Sequence, residues 1–265
     1  MDKPMLANKF EDKKATFPCY VQPKLDGVRC LFDGTLAWTR NLKEHKPHIT
    51  RMLQERYPLM QWPRGLVLDG ELMLPNATFQ ETVSAVKKKY EISATLQYHV
   101  YDCWMKDLPD LPFHKRIQIV REVVRDYWVV TPKLYLVEEV WNQLDEWIDQ
   151  GYEGLIYRNP NGIYKHGRSG RDLLKLKKFH DAEYQIVGAI EGKGKDIGTP
   201  IWVCRVSATD ERTFKARPMG TYEWRREAWK NRVSYYGKML TVKYQELTDE
   251  GIPRFPIGVE VRDYE

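Results

Sequence analysis

Apolar residues fall into two patterns along the chain. Over the first 180 residues, runs of strand length alternate with stretches whose apolar positions lie three and four apart, the spacing of a helix face. The strand-like runs are 19–23, 31–39, 66–74, 96–104, 154–158 and 173–177. One helical stripe is Phe113, Ile117, Val120, Val124 and Tyr127. A second is Val137, Val140, Trp141, Leu144, Trp147 and Ile148, with Gly151 placed to stop it. The aromatics in these stripes read as core.

Beyond 179–183 the pattern changes. Five short strand-like runs follow, at 184–190, 201–207, 212–216, 239–247 and 257–262, with one helical segment at 222–231. Five strands and a helix in so short a span predict a small Greek-key barrel such as an OB-fold, a frequent nucleic-acid platform. The expected domains are therefore 1–179 and 180–265, with no internal repeat or low-complexity segment in either.

Composition narrows the class. With 42% hydrophobic and 30% charged residues, the 265-residue chain is that of a soluble globular protein with ample core material. Charges at the N-terminus and the absence of any apolar run of bilayer length predict a cytoplasmic protein with no membrane partner. Cys19, Cys30, Cys103 and Cys204 stand singly and read as free thiols. His45 and His48 read as solvated. Residues 1–178 hold 28 Lys/Arg against 23 Asp/Glu while 179–265 hold 14 against 14, so the net charge of +5 lies in the first part. Such a surplus fits an anionic partner without requiring one.

The chemistry begins at Lys24-Leu25-Asp26-Gly27-Val28-Arg29, an amine beside a carboxylate and a guanidinium. Strand alternation would set Lys24 and Asp26 on one face, with Leu25 turned away and Gly27 allowing a turn. An attacking lysine must spend time as the neutral amine, which burial beside other cations favours. Alone, the motif also fits a solvated lysine and a surface arginine; four further segments change the balance. Asp69-Gly70-Glu71 closes an apolar run, so two acids would leave the strand end, suited to a ribose hydroxyl or a hard cation, or to a solvated turn. Glu153 opens the run 154–158. In Leu173-Leu174-Lys175-Leu176-Lys177, two lysines alternate with leucines, so both ammonium groups would share one face, where an anion would relieve their repulsion. Tyr98 or Tyr101 could stack on a base, and Tyr101, just before Asp102-Cys103, is the better placed. The glycine-rich segment 162–171, with Lys165, Arg168 and Arg171, reads as a mobile basic loop, solvated or able to grip a phosphodiester backbone. Lys87-Lys88-Lys89, at the end of a helix, reads as solvated.

Lysine motif, paired acids, single glutamate and alternating lysines, in this order and ahead of a small barrel, resemble the covalent nucleotidyltransferases: ATP-dependent DNA ligases, RNA ligases and messenger-RNA capping enzymes. Through Pro253-Arg254-Phe255-Pro256, Arg262 and Tyr235-Tyr236-Gly237-Lys238 the chain is most similar to the minimal two-domain ATP-dependent DNA ligases. The resemblance implies an α+β nucleotidyltransferase (adenylation) domain followed by a β-barrel OB-fold domain. It implies an ATP-dependent DNA ligase that seals 3′-OH/5′-phosphate nicks in duplex DNA, with RNA ligase or capping activity as the alternative. By the same likeness Lys24 is the nucleophile that carries AMP, and Arg29 and Glu71 hold the ribose or the nick phosphate. Tyr101 stacks on adenine, and Lys175 and Lys177 hold the α-phosphate. Glu153 with Asp26 or Asp69 lies near Mg²⁺ or Mn²⁺. Arg40 resembles the nick-phosphate arginine, Arg168 and Arg171 would touch DNA backbone, and Arg254 and Arg262 belong to the C-terminal motif. The implied partner is nicked double-stranded DNA, engaged by a monomer through these two domains alone. Larger members follow R-x-D with lysine, whereas Tyr264 follows Asp263 here. Only a short loop, 192–198, stands where some viral members carry a long clasping insertion.

Overall fold

The computed structural model describes residues 1–58, 60, 62–125, 130, 133–248 and 250–262. The chain divides into two compact units, Met1–Lys177 and Lys178–Glu265. In the first, the strands are β1 (Met5–Leu6), β2 (Asn8–Lys9), β3 (Cys19–Lys24), β4 (Val28–Phe32), β5 (Ala37–Thr39), β6 (Leu66–Met73), β7 (Gln97–Met105), β8 (Lys133–Tyr135), β9 (Gly154–Arg158), β10 (Gly167–Arg168) and β11 (Leu173–Leu176). Its α-helices are α1 (Pro47–Arg56), α2 (Phe79–Lys87), α3 (Phe113–Val124) and α4 (Val137–Asp149).

One sheet has the order β5-β4-β6-β7 and the other β2-β11-β9-β3-β8, with β1 and β10 paired separately. Alternation along each strand sorts the side chains. In β4, Cys30 and Phe32 join a core with Ile49 and Leu53 of α1, Ala85 and Val86 of α2, and Phe113, Ile117, Val120 and Val124 of α3. Leu31 faces the other way, into a cluster with Val67, Trp104, Tyr164 and Leu173 that draws on both sheets. On the far side of the second sheet, Val140, Leu144 and Trp147 of α4 pack on Cys19, Val21, Leu155, Tyr157, Leu174 and Leu176. Each such side chain taken wholly out of water is worth about 1.5–3 kcal/mol.

One run and one helix, α1, differ from the expectation. The run 31–39 is a hairpin rather than one strand, because Gly34 turns the chain at φ +88° between β4 and β5. Helices α1 and α2 carry no long apolar stripe and are set by their ends: Pro47 opens α1, and Thr78 with Glu81 forms a capping box on α2. The expected stripe residue Tyr127 lies outside the described residues. Gly151, at φ +87°, does follow α4.

The second unit is a closed five-stranded barrel. Its strands are β12 (His180–Glu191), β13 (Pro200–Ser207), β14 (Asp210–Pro218), β15 (Met239–Tyr244) and β16 (Ile257–Arg262), joined in the order β12-β13-β14-β16-β15. Helix α5 (Tyr222–Lys230) links β14 to β15 and is capped by the Thr221 hydroxyl, which accepts the Trp224 N–H. Ile186, Trp202, Cys204, Ala216, Leu240 and Val242 fill the interior. A nucleotidyltransferase domain followed by an OB-like barrel is the architecture. No helix among the described residues is long and apolar enough to cross a membrane.

Candidate active site

Three neighbouring strands set one wall of a pocket in the first unit. Antiparallel pairing places Lys24, the last residue of β3, opposite Gly154 of β9, and β11 lies on the other side of β9. Gly154 is at φ +149°, and a Cβ there would run into the Leu176 carbonyl oxygen. Only glycine lets the strands approach so closely, and the approach brings Glu153 between two lysines. The Lys24 Nζ donates to Glu153 Oε2, and Lys177 Nζ pairs with Glu153 Oε1. One residue pair further on, Gln22, Ile156 and Lys175 stand in register across the same strands and face the same pocket. Leu174 and Leu176, 0% and 8% exposed, point into the core on the other side. The alternation of β11 thus delivers both lysines to one space.

Charges and burial act on the amines together. Burial is the main cause holding the Lys24 ammonium below the ordinary lysine range, helped by Arg40 and opposed by Glu71 and Asp26. Lys175 is lowered too, first by burial and then by Lys24, Arg40 and Arg168. A pocket rich in amines of reduced basicity can supply a neutral nitrogen nucleophile and still present cations to an anion.

The first sheet supplies the opposite wall. Arg29 of β4 stands across from Glu71 of β6, and Tyr101 of β7 lies beside them, its hydroxyl 3.5 Å from Glu71 Oε2. Arg29, Thr39, Arg40, Glu71, Phe79, Lys87 and Tyr101 all line the pocket, whose volume is about 640 Å³. That lies within the range of sites that enclose a cofactor-sized ligand. Burial raises the Glu71 carboxyl to about 7, against the pull of Arg29 and Lys24. The Arg29 and Arg158 guanidinium carbons lie 5.7 Å and 5.6 Å from the Tyr101 ring centre. Register also separates the two tyrosines: Tyr98 is 0% exposed and donates to the Cys30 carbonyl, while Tyr101 reaches the pocket.

The structure corrects the expected placement of the acids. Strand β3 ends at Lys24, and Gly27 lets the chain pass close against the Leu72 carbonyl oxygen, which a Cβ would meet; Leu25 lines the pocket and Asp26 does not. Asp69 and Glu71 lie inside β6 rather than at its end. Asp69 is 1% exposed and binds Arg29 through both oxygens, at 2.9 Å and 2.5 Å. Of the acids expected beside Glu153 near a metal, Asp69 is taken up by Arg29 and Asp26 does not line the pocket, and among the described residues no group of three or more His, Cys, Asp or Glu could hold an ion. Glu153 is the acid positioned beside the pocket lysines.

The remaining expected residues are spread out. Arg168 hydrogen-bonds Asn8 Oδ1 at 3.3 Å and acts on Lys175 through its charge, and Arg171 is exposed. Both lie on the segment after Tyr164. In the barrel, Arg254 pairs with Glu246, and Arg262 donates to the Thr241 hydroxyl at 3.0 Å.

Arg158 and Gln22 are among the pocket residues that escape the sequence reading. Arg158 is 3% exposed, donates to Gln22 Oε1 at 2.5 Å and Asp102 Oδ2 at 2.6 Å, and lines the pocket with Gln22. The signal was the alternation of 154–158, which puts Ile156 and Arg158 opposite the buried Leu155 and Tyr157.

Comparison with known proteins identifies the family. Residues 4–177 match the model of the ATP dependent DNA ligase domain, and residues 201–262 that of the DNA ligase OB-like domain. The chain is 31% identical to the DNA ligase of African swine fever virus (strain Badajoz 1971 Vero-adapted), over 96% of this chain and 67% of that protein. A probable DNA ligase of Saccharopolyspora erythraea is 27% identical, over 91% of this chain and 52% of its own. Among solved structures, a Lig E DNA ligase described as binding DNA with a minimal scaffold shares the fold, with TM-score 0.81 over 99% of this chain and 100% of that one at 24% identity. The Chlorella virus DNA ligase-adenylate gives TM-score 0.57 at 29% identity, over 100% of this chain and 99% of its own. With its catalytic and barrel portions both matched, the chain belongs to the ATP-dependent DNA ligases.

Proposed function

We propose that this ligase seals nicks in duplex DNA through an adenylated Lys24. The observation that carries the reading is the half-buried Lys24 amine, of lowered basicity, held with Lys177 on Glu153 at the edge of a nucleotide-sized pocket. In the first transfer Lys24 Nζ, its proton lost, attacks the α-phosphorus of ATP, a P–N bond forms and pyrophosphate leaves. The DNA 5′-phosphate then attacks the same phosphorus, and the P–N bond breaks. The 3′-hydroxyl displaces AMP from the adenylated end, and the phosphodiester is complete.

The other residues take roles consistent with their places. Lys175 and Lys177 hold the α-phosphate, where charge develops as the bond transfers. Arg29 and Glu71 hold the ribose or the nick phosphate, Tyr101 stacks on adenine, and Arg40, exposed at the pocket edge, meets the nick phosphate. Arg168 and Arg171 touch the DNA backbone, and Arg254 and Arg262 form the C-terminal motif of the barrel. The donor set fits a divalent ion bound mainly through the substrate's phosphates, since such ions commonly take only one or two protein carboxylates. Bound there beside Glu153, Mg²⁺ or Mn²⁺ would supply neutralising charge to the phosphates.

The test is sealing of a labelled nicked duplex with ATP by wild type, Lys24→Ala and Lys24→Arg. Wild type should join the strands and both variants should fail, because a guanidinium stays protonated and cannot attack. Sealing by Lys24→Ala at the wild-type rate would reject the reading.

A further inference from the structure

A run of hydrogen bonds beneath the pocket connects Arg29 to a tyrosine that does not itself line the pocket. Arg29 Nε donates to Asp69 Oδ1 at 2.9 Å and Nη2 to Asp69 Oδ2 at 2.5 Å. Asp69 Oδ2 also accepts the Tyr164 hydroxyl at 2.6 Å, and the Tyr164 oxygen in turn accepts the Met5 N–H at 3.0 Å. The direction of every proton is fixed. A backbone N–H can only donate and an ionised carboxylate can only accept, so the single phenolic proton must point at Asp69.

The tyrosine is itself held. It is 5% exposed and stacks on Trp104 at 4.7 Å with 30° between the planes. It opens the segment that carries Arg168 and Arg171, and that segment is joined to the N-terminus by parallel β1–β10 pairing and by Gly167 N–H to Pro4 O and Ser169 N–H to Leu6 O. Leu6 and Ala7 line the pocket. Arginine is a long, rotamer-rich side chain, and a carboxylate free to rotate about its own bond would hold it in plane only loosely.

We infer that Tyr164 is a positioning residue: by fixing the rotation of the Asp69 carboxylate it sets the plane of the Arg29 guanidinium in the pocket. The same contact registers the N-terminal segment and the 164–171 loop against that guanidinium. This rests on the reading of Arg29 as a group that holds the ribose or the nick phosphate.

The test is a double-mutant cycle on the full chain with Tyr164→Phe, Arg29→Ala and the pair. Self-adenylation is measured across ATP concentration, and sealing of nicked duplex in single turnover from pre-adenylated protein; thermal unfolding is recorded for each variant. Phenylalanine keeps the Trp104 stack and removes only the hydroxyl. Tyr164→Phe should unfold cooperatively and lose about tenfold in the step that Arg29→Ala impairs. It should stay within about twofold in the other step and add less than about twofold in the Arg29→Ala background, since coupled residues are not additive. Equal losses in both backgrounds, or wild-type rates in the impaired step, would overturn the inference. Wild-type rates for Arg29→Ala itself would instead reject the role given to Arg29, and this inference with it. If Tyr164→Phe failed to fold, Asp69→Asn would enter the same cycle. It keeps the side-chain shape but weakens the fork, and additive losses there would count against the seat.

Discussion

Lys24 concentrates the chemistry, and its environment makes a signed claim about pH. Burial, with Arg40 nearby, lowers the pKa of its ammonium below lysine's ordinary value of about 10.4. The neutral amine therefore appears at lower pH than for a solvated lysine, and self-adenylation should rise with pH to a plateau whose midpoint lies below that value. Arg40→Ala removes a neighbouring cation and should move the midpoint up, while Glu71→Gln removes an anion and should move it down. Rate profiles of the three proteins check this; a common midpoint at the solvated value would contradict it. Glu71 makes a second claim. Its folded value of about 7 exceeds the ordinary glutamate value of about 4.3, so its contribution to stability is present below the latter and is lost as pH rises through the former. Glu71→Gln should therefore gain in unfolding midpoint relative to wild type between about pH 4.3 and 7. The shared face of Lys175 and Lys177 was legible because alternation decides which face a strand residue takes, whereas the same rule set Asp26 beside Lys24, where β3 has already ended. Asp69 was not legible, since its partners Arg29 and Tyr164 lie 40 and 95 residues away in sequence.

At the scale of elements, the site depends on how closely β9 approaches β11. Gly154→Ala would drive a Cβ into the Leu176 carbonyl at a backbone angle of φ +149° that side chains rarely adopt. The strands must part, and Glu153 would no longer fit between Lys24 and Lys177. Stability should fall by about 1–3 kcal/mol from the strain, and self-adenylation should fall with it. Chemical denaturation and adenylation assays check both, and a variant unchanged in each would show that this approach does not matter. Lys175→Ala and Lys177→Ala should slow adenylation by about two orders of magnitude or more, the scale for losing a donor at developing charge, while changing DNA affinity less. Strands β3, β6, β7, β9 and β11 and the two long helices were readable from periodicity, while the short β1, β2, β8 and β10 carry too few residues to show a pattern. The hairpin at 31–39 was missed although Asp33-Gly34-Thr35 interrupts its apolar residues and Asp-Gly is itself a turn signal. Helix α1 was hidden because it buries only Ile49 and Leu53, whereas the end of α2 was anticipated at Lys87-Lys88-Lys89.

For the whole molecule, the positive surplus lies in the part that builds the pocket, and the barrel portion is balanced. Binding to nicked duplex should then be strongly salt-dependent and nearly indifferent to sequence, because phosphate contacts position a protein without reading bases. Replacing Arg168 and Arg171 together should flatten the slope of log affinity against log salt by roughly one to two units and leave lysine adenylation largely intact. Titrations of pre-adenylated protein at several salt concentrations check it, and an unchanged slope would make the 164–171 loop ordinary surface. The barrel was legible from its strand count, and its closure needed the parallel β14–β16 pairing that no local pattern announces. All of this chemistry turns on one bond, and mass spectrometry of the protein after incubation with ATP and Mg²⁺ reads it directly. One AMP should be found, on the peptide that contains Lys24, and it should disappear when nicked DNA is added; AMP on any other residue, or none with active protein, would contradict the mechanism.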